Sequence, residues 1–329
     1  MTPYTPPYPK LTVPKSKLLR LLLMPWYFLK SRHCSLAMIP EGAYRMSLAE
    51  VKGPVRSALF PLEPEMIRRV LVDEAEDFPK SELVADVLGI LLGDSIFVSN
   101  GEVWKRQRRM MTPAFEHTRV KVVFDMMMQA ADAMIGRLDA IASGREVNVE
   151  EEMTFVTADI IFRTIFSRPL RHGEAEVIFK AFSDYQQAAF AHGLNRLVPL
   201  PKWASFFEFR RADASARIIR GILDPIIRKR YDSFHGGEPQ THNDILQSLV
   251  SVKDEITGTH FDFRELCEQV AMLFLAGHET SASALSSTLY LLAMDQDIQE
   301  RVHQEAAAVS GGERLAFADL RKLDLTRNV

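Results

Sequence analysis

The sequence predicts a mainly helical fold with a small β-sheet near the N-terminus. Three observations predict it. Residues 270–294 contain no proline, a single glycine at 277, and ionisable groups only at His278 and Glu279. A run this apolar on nearly all faces is the pattern of a helix buried in a large core. Apolar residues recur at helical spacing through most of the remaining chain, as at Val120, Val123, Phe124, Met127, Ala131, Met134, Leu138 and Ile141. Segments 43–48 and 54–60 read as a strand pair with Lys52-Gly53 at the turn.

The 329 residues, 47% of them apolar with a net charge of −3, suffice for a large core, and the near-neutral balance excludes a nucleic-acid binder. Two cysteines, Cys34 and Cys267, are too few for a disulfide framework or a metal cluster and suit a reducing, cytoplasmic setting.

In chain order, residues 1–40 form an arm. Prolines at 3, 6, 7, 9 and 14 give it a polyproline tendency. Residues 18–29 are apolar but too short to span a bilayer, and Arg20 and Pro25 interrupt them, so they pack on the body or rest on a membrane surface. Membrane contact is therefore at most peripheral. The domain proper covers 41–329. After the strand pair comes a short helix, 63–73, behind Pro61 and Pro64. Gly89 and Gly93 break up the apolar stretch 83–99. The stretch 104–115 places Trp104 and Arg108 on a helix, and helices follow over 119–143, 150–167, 173–192 and 208–234, with a break at Pro199, Leu200, Pro201 and Trp203, then over 243–252. The long helix starts at Asp262, a good N-cap residue with Glu265 three positions on as in a capping box, and runs to Met294. Another helix covers 295–309, and Gly311-Gly312 ends it.

The polar patch Gly277-His278-Glu279-Thr280-Ser281 is the main functional clue. Gly277 costs about 1 kcal/mol relative to alanine inside a helix. A buried Glu279 is expensive unless paired or protonated. Thr280 can bond back to the Ala276 carbonyl and bend the helix. Locally unfavourable choices at neighbouring positions mark a functional site or a satisfied polar network between helices. A zinc site of the H-E-x-x-H type is excluded, because Ala282 stands where its second histidine would be. A second clue is Trp104-Lys105-Arg106-Gln107-Arg108-Arg109, followed by Pro113-Ala114-Phe115. Trp104 and Arg108 are four apart and share one helix face, where an indole N–H and a guanidinium can grip carboxylates.

Together, Ala276-Gly277-His278-Glu279-Thr280-Ser281 and the W-x-x-x-R element resemble the cytochrome P450 family of haem-thiolate monooxygenases. The resemblance implies a P450 fold and a haem iron cofactor, with insertion of one atom of dioxygen into an apolar small-molecule substrate. Electrons would come from NAD(P)H through a ferredoxin- or flavin-type donor. Carried over residue by residue, Trp104 and Arg108 hold the haem propionates. Ala276 and Gly277 let the helix approach the macrocycle. Thr280 hydrogen-bonds the bound oxygen or its water, and Glu279 relays protons. Phe97, Leu275 and Ala276 line the substrate pocket. Lys105, Arg106 and Arg109 offer a basic surface to an acidic electron donor. The helices either side of the Pro199 break form a lid. Phe78-Pro79-Lys80-Ser81 resembles the family's step into the substrate-facing loop.

One departure is large. The family's E-x-x-R pair and glycine-rich loop with the axial cysteine have no counterpart, and neither Cys34 nor Cys267 has that context. The chain thus reads as a truncated form, the first two-thirds of such an enzyme, cut by a shortened gene or an incomplete gene model. It is expected to be inactive by itself and to expose apolar surface. The alternative is a non-catalytic helical fragment that binds at most a lipid or another helix.

Overall fold

The computed structural model describes residues 45–52, 57–115, 117–141, 144–197 and 202–329, with Ser16 and Gly42. Apart from Ser16, the arm expected over residues 1–40 lies outside them, as does Cys34. The chain forms two compact units, one of residues 1–79 with 197–199 and one of residues 80–196 with 200–329.

In the first unit, β1 (Leu48–Lys52) and β2 (Ser57–Pro61) pair antiparallel, with Leu48 opposite Pro61 and Lys52 opposite Ser57. Residues 43–44 of the first expected strand and 53–56 of the turn and second strand lie outside the described residues; of the rest, the first strand begins at Leu48, not before it, and runs on to Lys52. Helix α1 (Pro64–Arg68) follows, with Pro64 at a position where a missing N–H costs nothing. It runs into a wide π turn, Arg69–Asp73.

The second unit is all helical. Its elements are α2 (Glu82–Leu92), α3 (Gly101–Met111), α4 (His117–Asp139), α5 (Val149–Phe166), α6 (His172–Leu197), α7 (Lys202–His235), α8 (Ile245–Ser251), α9 (Phe263–Met294), α10 (Gln296–Ser310) and α11 (Asp324–Asn328). Gly89 does not break α2; Gly93 ends it, at φ +52°. Helices α6 and α7 extend further than expected, to Leu197 and from Lys202.

Helix α9 organises this unit. At 32 residues it is about 48 Å long. Asp262 caps it, accepting from the Glu265 N–H at 2.7 Å while Glu265 accepts from the Asp262 N–H at 3.0 Å. Its first half is enclosed. Leu266, Val270, Ala271, Met272 and Phe274 are buried, packed with Phe162 and Ile165 of α5, Phe182 of α6, and Ile219 and Leu223 of α7. Its second half differs from the expected burial on all faces. Ala282 is buried against Ala130, Met153 and Val156. Leu285, Leu289, Tyr290, Leu291 and Met294 are exposed, and no described element covers them.

The closest approach to α9 is made by α5. A Cβ on Gly277 would meet Ile161 Cδ1 at 2.5 Å. Beside it, the buried Thr157 hydroxyl lies 2.9 Å from the His278 carbonyl and 2.7 Å from the Met153 carbonyl.

Candidate active site

Two cavities adjoin in the second unit. The first, of about 340 Å³, is lined by Val87, Leu88 and Leu92 of α2, Tyr185, Gln186 and Ala189 of α6, and Met272, Leu275, Ala276, Glu279 and Thr280 of α9, with Phe97. The second, of about 600 Å³, is lined by Trp104, Arg108 and Met111 of α3, Thr112 and Phe115, and Met272 and Leu273 of α9, with Ile96 and Phe97. Phe97 and Met272 belong to both walls. Met272, Ala276 and Thr280 share the first wall, as do Leu275 and Glu279, because residues four apart repeat on one helix face.

Polar groups are few and individually placed. Thr280 Oγ1 donates to the Ala276 carbonyl at 2.7 Å. Gln186 of α6 donates to the Glu279 carboxylate. Burial raises the Glu279 pKa, and the Gln186 bond offsets part of that rise. The Tyr185 hydroxyl reaches the Val87 and Leu88 carbonyls at 3.1 and 3.0 Å, and Arg220 Nη2 donates to the Leu91 carbonyl at 2.7 Å. Side chains of α6 and α7 thereby satisfy carbonyls at the end of α2.

On α3, three of the four cations are engaged. Lys105 pairs with Glu102, Arg106 with Glu265 at 2.6 Å, and Arg109 with the buried Asp254 at 3.0 Å. Arg109 pulls the Asp254 carboxyl down to about 2. Arg108 remains. Among the described residues neither its guanidinium nor the Trp104 indole N–H has a hydrogen-bond or ion-pair partner, and both face the second cavity. Lys80 Nζ lies 5.3 Å from the centre of the Trp104 ring and donates to the Ser99 carbonyl at 2.6 Å, which steadies the indole.

The structure thus gathers Phe97, Leu275, Ala276, Glu279 and Thr280 on one cavity and Trp104 and Arg108 on the next. It corrects two expectations, those for Gly277 and for the basic surface. Gly277 is on neither wall; it faces Ile161, and its lack of a side chain serves helix packing. His278 points away into an aromatic slot, its ring centroid 5.1 Å from those of Phe182 and Phe274, and Nδ1 donates to the Phe274 carbonyl at 2.8 Å. Burial lowers its pKa and keeps it neutral. Arg106 and Arg109 do not form a free basic surface with Lys105, because they tie α3 to residues 254–265.

Sequence reasoning missed Glu268 and Gln269. Both are buried on α9, and both hold the turn that carries Phe97. Lying just before the apolar run, next to Arg264 and Glu265, they read as part of a polar first turn, and nothing in the local pattern marked them.

A family model described as Cytochrome P450 matches residues 50–329. The chain belongs to the cytochrome P450 family. Among curated P450 relatives, it is 32% identical over 288 residues to cyclooctat-9-en-7-ol 5-monooxygenase of Streptomyces melanosporofaciens, covering 86% of this chain and 59% of that protein. It is 25% identical to the protein LUTEIN DEFICIENT 5, chloroplastic, of Arabidopsis thaliana, covering 88% and 49% respectively. The crystal structure of the cytochrome P450DA haem domain superposes with a TM-score of 0.73 at 20% identity, over 97% of this chain and 68% of that one. The chain spans roughly half to three-fifths of the length of these curated relatives. P450 membership implies haem, and the second cavity fits one: its walls are apolar apart from the Thr112 hydroxyl, which is bonded to the Arg108 carbonyl at 2.8 Å, and the Arg108 and Trp104 side chains, whose N–H groups can take carboxylates. Among the described residues no cysteine lines either cavity. Cys267 is buried beside Asp224, and burial pushes its thiol up to about 12. No helix of the described residues is long and apolar enough to cross a membrane.

Proposed function

We propose that this chain carries haem-binding and substrate-pocket residues of a P450 monooxygenase acting on an apolar small molecule. Trp104 and Arg108 hold the haem propionates. The first cavity takes the substrate, and Glu279 and Thr280 manage protons. The single observation that carries the reading is the shared wall. The cavity bearing the one α3 cation without a carboxylate partner among the described residues shares Phe97 and Met272 with the cavity bearing Glu279 and Thr280.

When bound, haem supplies the activation of dioxygen, a step for which these side chains provide orientation and protons. Within the first cavity, apolar side chains of α2, α6 and α9 exclude water and orient the substrate. Thr280, bonded back to Ala276, holds its hydroxyl at the wall with lone pairs free to accept. Glu279 stands at the solvent-exposed rim with its carboxyl biased toward the protonated form, suited to take a proton from water and hand it inward. Electrons reach the site from NAD(P)H through a redox partner, whose docking surface does not include Arg106 or Arg109.

Two measurements test the proposal on the protein expressed from its complete gene. Arg108→Leu removes one charge-assisted carboxylate grip and is expected to weaken haem retention by about tenfold or more. Retention equal to the parent's would remove Arg108 from the haem site. Thr280→Ala is expected to leave reductant consumption running while product per reductant falls several-fold, with peroxide released instead. Unchanged coupling would take Thr280 out of proton delivery.

A further inference from the structure

Phe97 divides the two cavities, yet it sits on a turn, the kind of segment that is ordinarily among the least stable parts of a protein. We infer that Gln269 and Glu268 of α9 are positioning residues that hold Phe97 as a fixed partition and so set which apolar ligands the 340 Å³ cavity accepts. This rests on the reading of that cavity as the substrate pocket.

The turn between α2 and α3 is fastened from both sides by buried side chains. The Asp94 N–H donates to Glu268 Oε2 at 3.1 Å, and the Ile96 N–H donates to Gln269 Oε1 at 3.1 Å. From α3, Gln107 Nε2 donates to the Asp94 carbonyl at 2.7 Å, and Gln107 Oε1 accepts from Ser99 Oγ at 2.7 Å. Gln107, Glu268 and Gln269 are all buried. Within the turn, the Val98 and Ser99 amides both donate to the Ser95 carbonyl at 2.8 Å. Gly93 leaves the Glu268 carboxylate room to pack on bare backbone, since a Cβ there would come 2.1 Å from Glu268 Oε1.

Phe97 is consequently the one large side chain of the turn that is open, 48% exposed, between the buried Ser95 and Val98. Its backbone is anchored to the same helix that carries Met272, Ala276 and Thr280. The backbone that carries this partition cannot move away from α9 without breaking buried hydrogen bonds, so the Phe97 ring pivots from a fixed Cα and large ligands are discriminated against.

The test is isothermal titration calorimetry of toluene, butylbenzene and hexylbenzene into the protein expressed from its complete gene and loaded with haem. The parent is expected to bind toluene more tightly, relative to hexylbenzene, than their apolar areas dictate. Gln269→Met keeps side-chain length but loses the acceptor, and should shift the hexylbenzene-to-toluene affinity ratio by about fivefold, the equivalent of one neutral hydrogen bond. Gln269→Glu, which keeps an acceptor for the Ile96 N–H, should restore the parent ratio. A merely structural Gln269 would weaken all three ligands equally, and that result overturns the inference. An unchanged ratio in Gln269→Met overturns it too, while leaving the substrate pocket standing. A parent that binds none of the three overturns the pocket reading and the inference with it. Should Gln269→Met not fold, hydrogen exchange in the parent decides: the Asp94 and Ile96 amides are expected to exchange as slowly as the core of α9, and loop-like exchange overturns the inference.

Discussion

Gly277 is the residue whose role changed most between sequence and structure. Within A-G-H-E-T-S it stands beside the small Ala276, and local pattern assigns both to one task. A helix turns 100° per residue, however, so neighbours face different partners. Ala276 looks into the cavity and Gly277 looks at Ile161 of α5. The consequence is measurable. In the parent, Gly277→Ala drives a methyl to within 2.5 Å of Ile161 Cδ1. The overpacking costs about 1–3 kcal/mol, more than the ~1 kcal/mol that alanine returns in helix propensity. In an Ile161→Ala background the space exists, and the same substitution should become stabilising. Denaturant unfolding of the four proteins checks the change of sign; equal effects in both backgrounds would mean that the two residues do not meet. Thr280 and Glu279, by contrast, were legible from sequence, because a hydroxyl and a carboxyl in an apolar helix announce themselves wherever they point.

The elements were legible for related reasons. Helical spacing and caps carry their own signals, and Asp262 with Glu265 located the start of α9 before any coordinates did. What local pattern cannot show is which way a helix faces. Arg106 and Arg109 lie on α3 among other cations and read as a solvated face, yet they reach residues 159 and 145 positions away. Asp254 is the clearest case. Arg109 donates to it, and its other carboxylate oxygen accepts from the Thr257 N–H and hydroxyl at 3.0 and 2.9 Å. Its folded pKa, about 2, lies below the ordinary 3.8. A carboxyl lowered in the folded state contributes stability that is present above the unfolded pKa and is lost as pH falls through the folded one. The attachment of 254–265 to α3 should therefore weaken between about pH 4 and pH 2. Asp254→Asn is expected to lower Tm at pH 7 and to flatten its dependence in that acid window. A variant with the parent's full acid slope would show that the pair contributes nothing.

At the scale of the whole molecule, one helix is shared by every part of the site. Helix α9 is capped at Asp262, gripped by Arg106 through Glu265, bonded to the Phe97 turn through Glu268 and Gln269, packed on α5 at Gly277, and open to the substrate cavity at Ala276 and Thr280. All these contacts lie within 18 residues of one rigid cylinder, and this gives the molecule an angular phase. Adding a single residue after Met272 leaves the capped end where it is and turns everything beyond by 100°. The cavity positions of Ala276, Glu279 and Thr280 would then receive Leu275, His278 and Glu279, and the bare spot opposite Ile161 would receive Ala276. Side-chain substitutions along α9 should act locally and by degrees. A one-alanine insertion between Met272 and Leu273 should abolish alkylbenzene binding while far-UV dichroism still reports a helical protein, and retained binding would mean that the helix can slip its phase. Length between fixed points, more than the identity of any one side chain, is then what holds the site together.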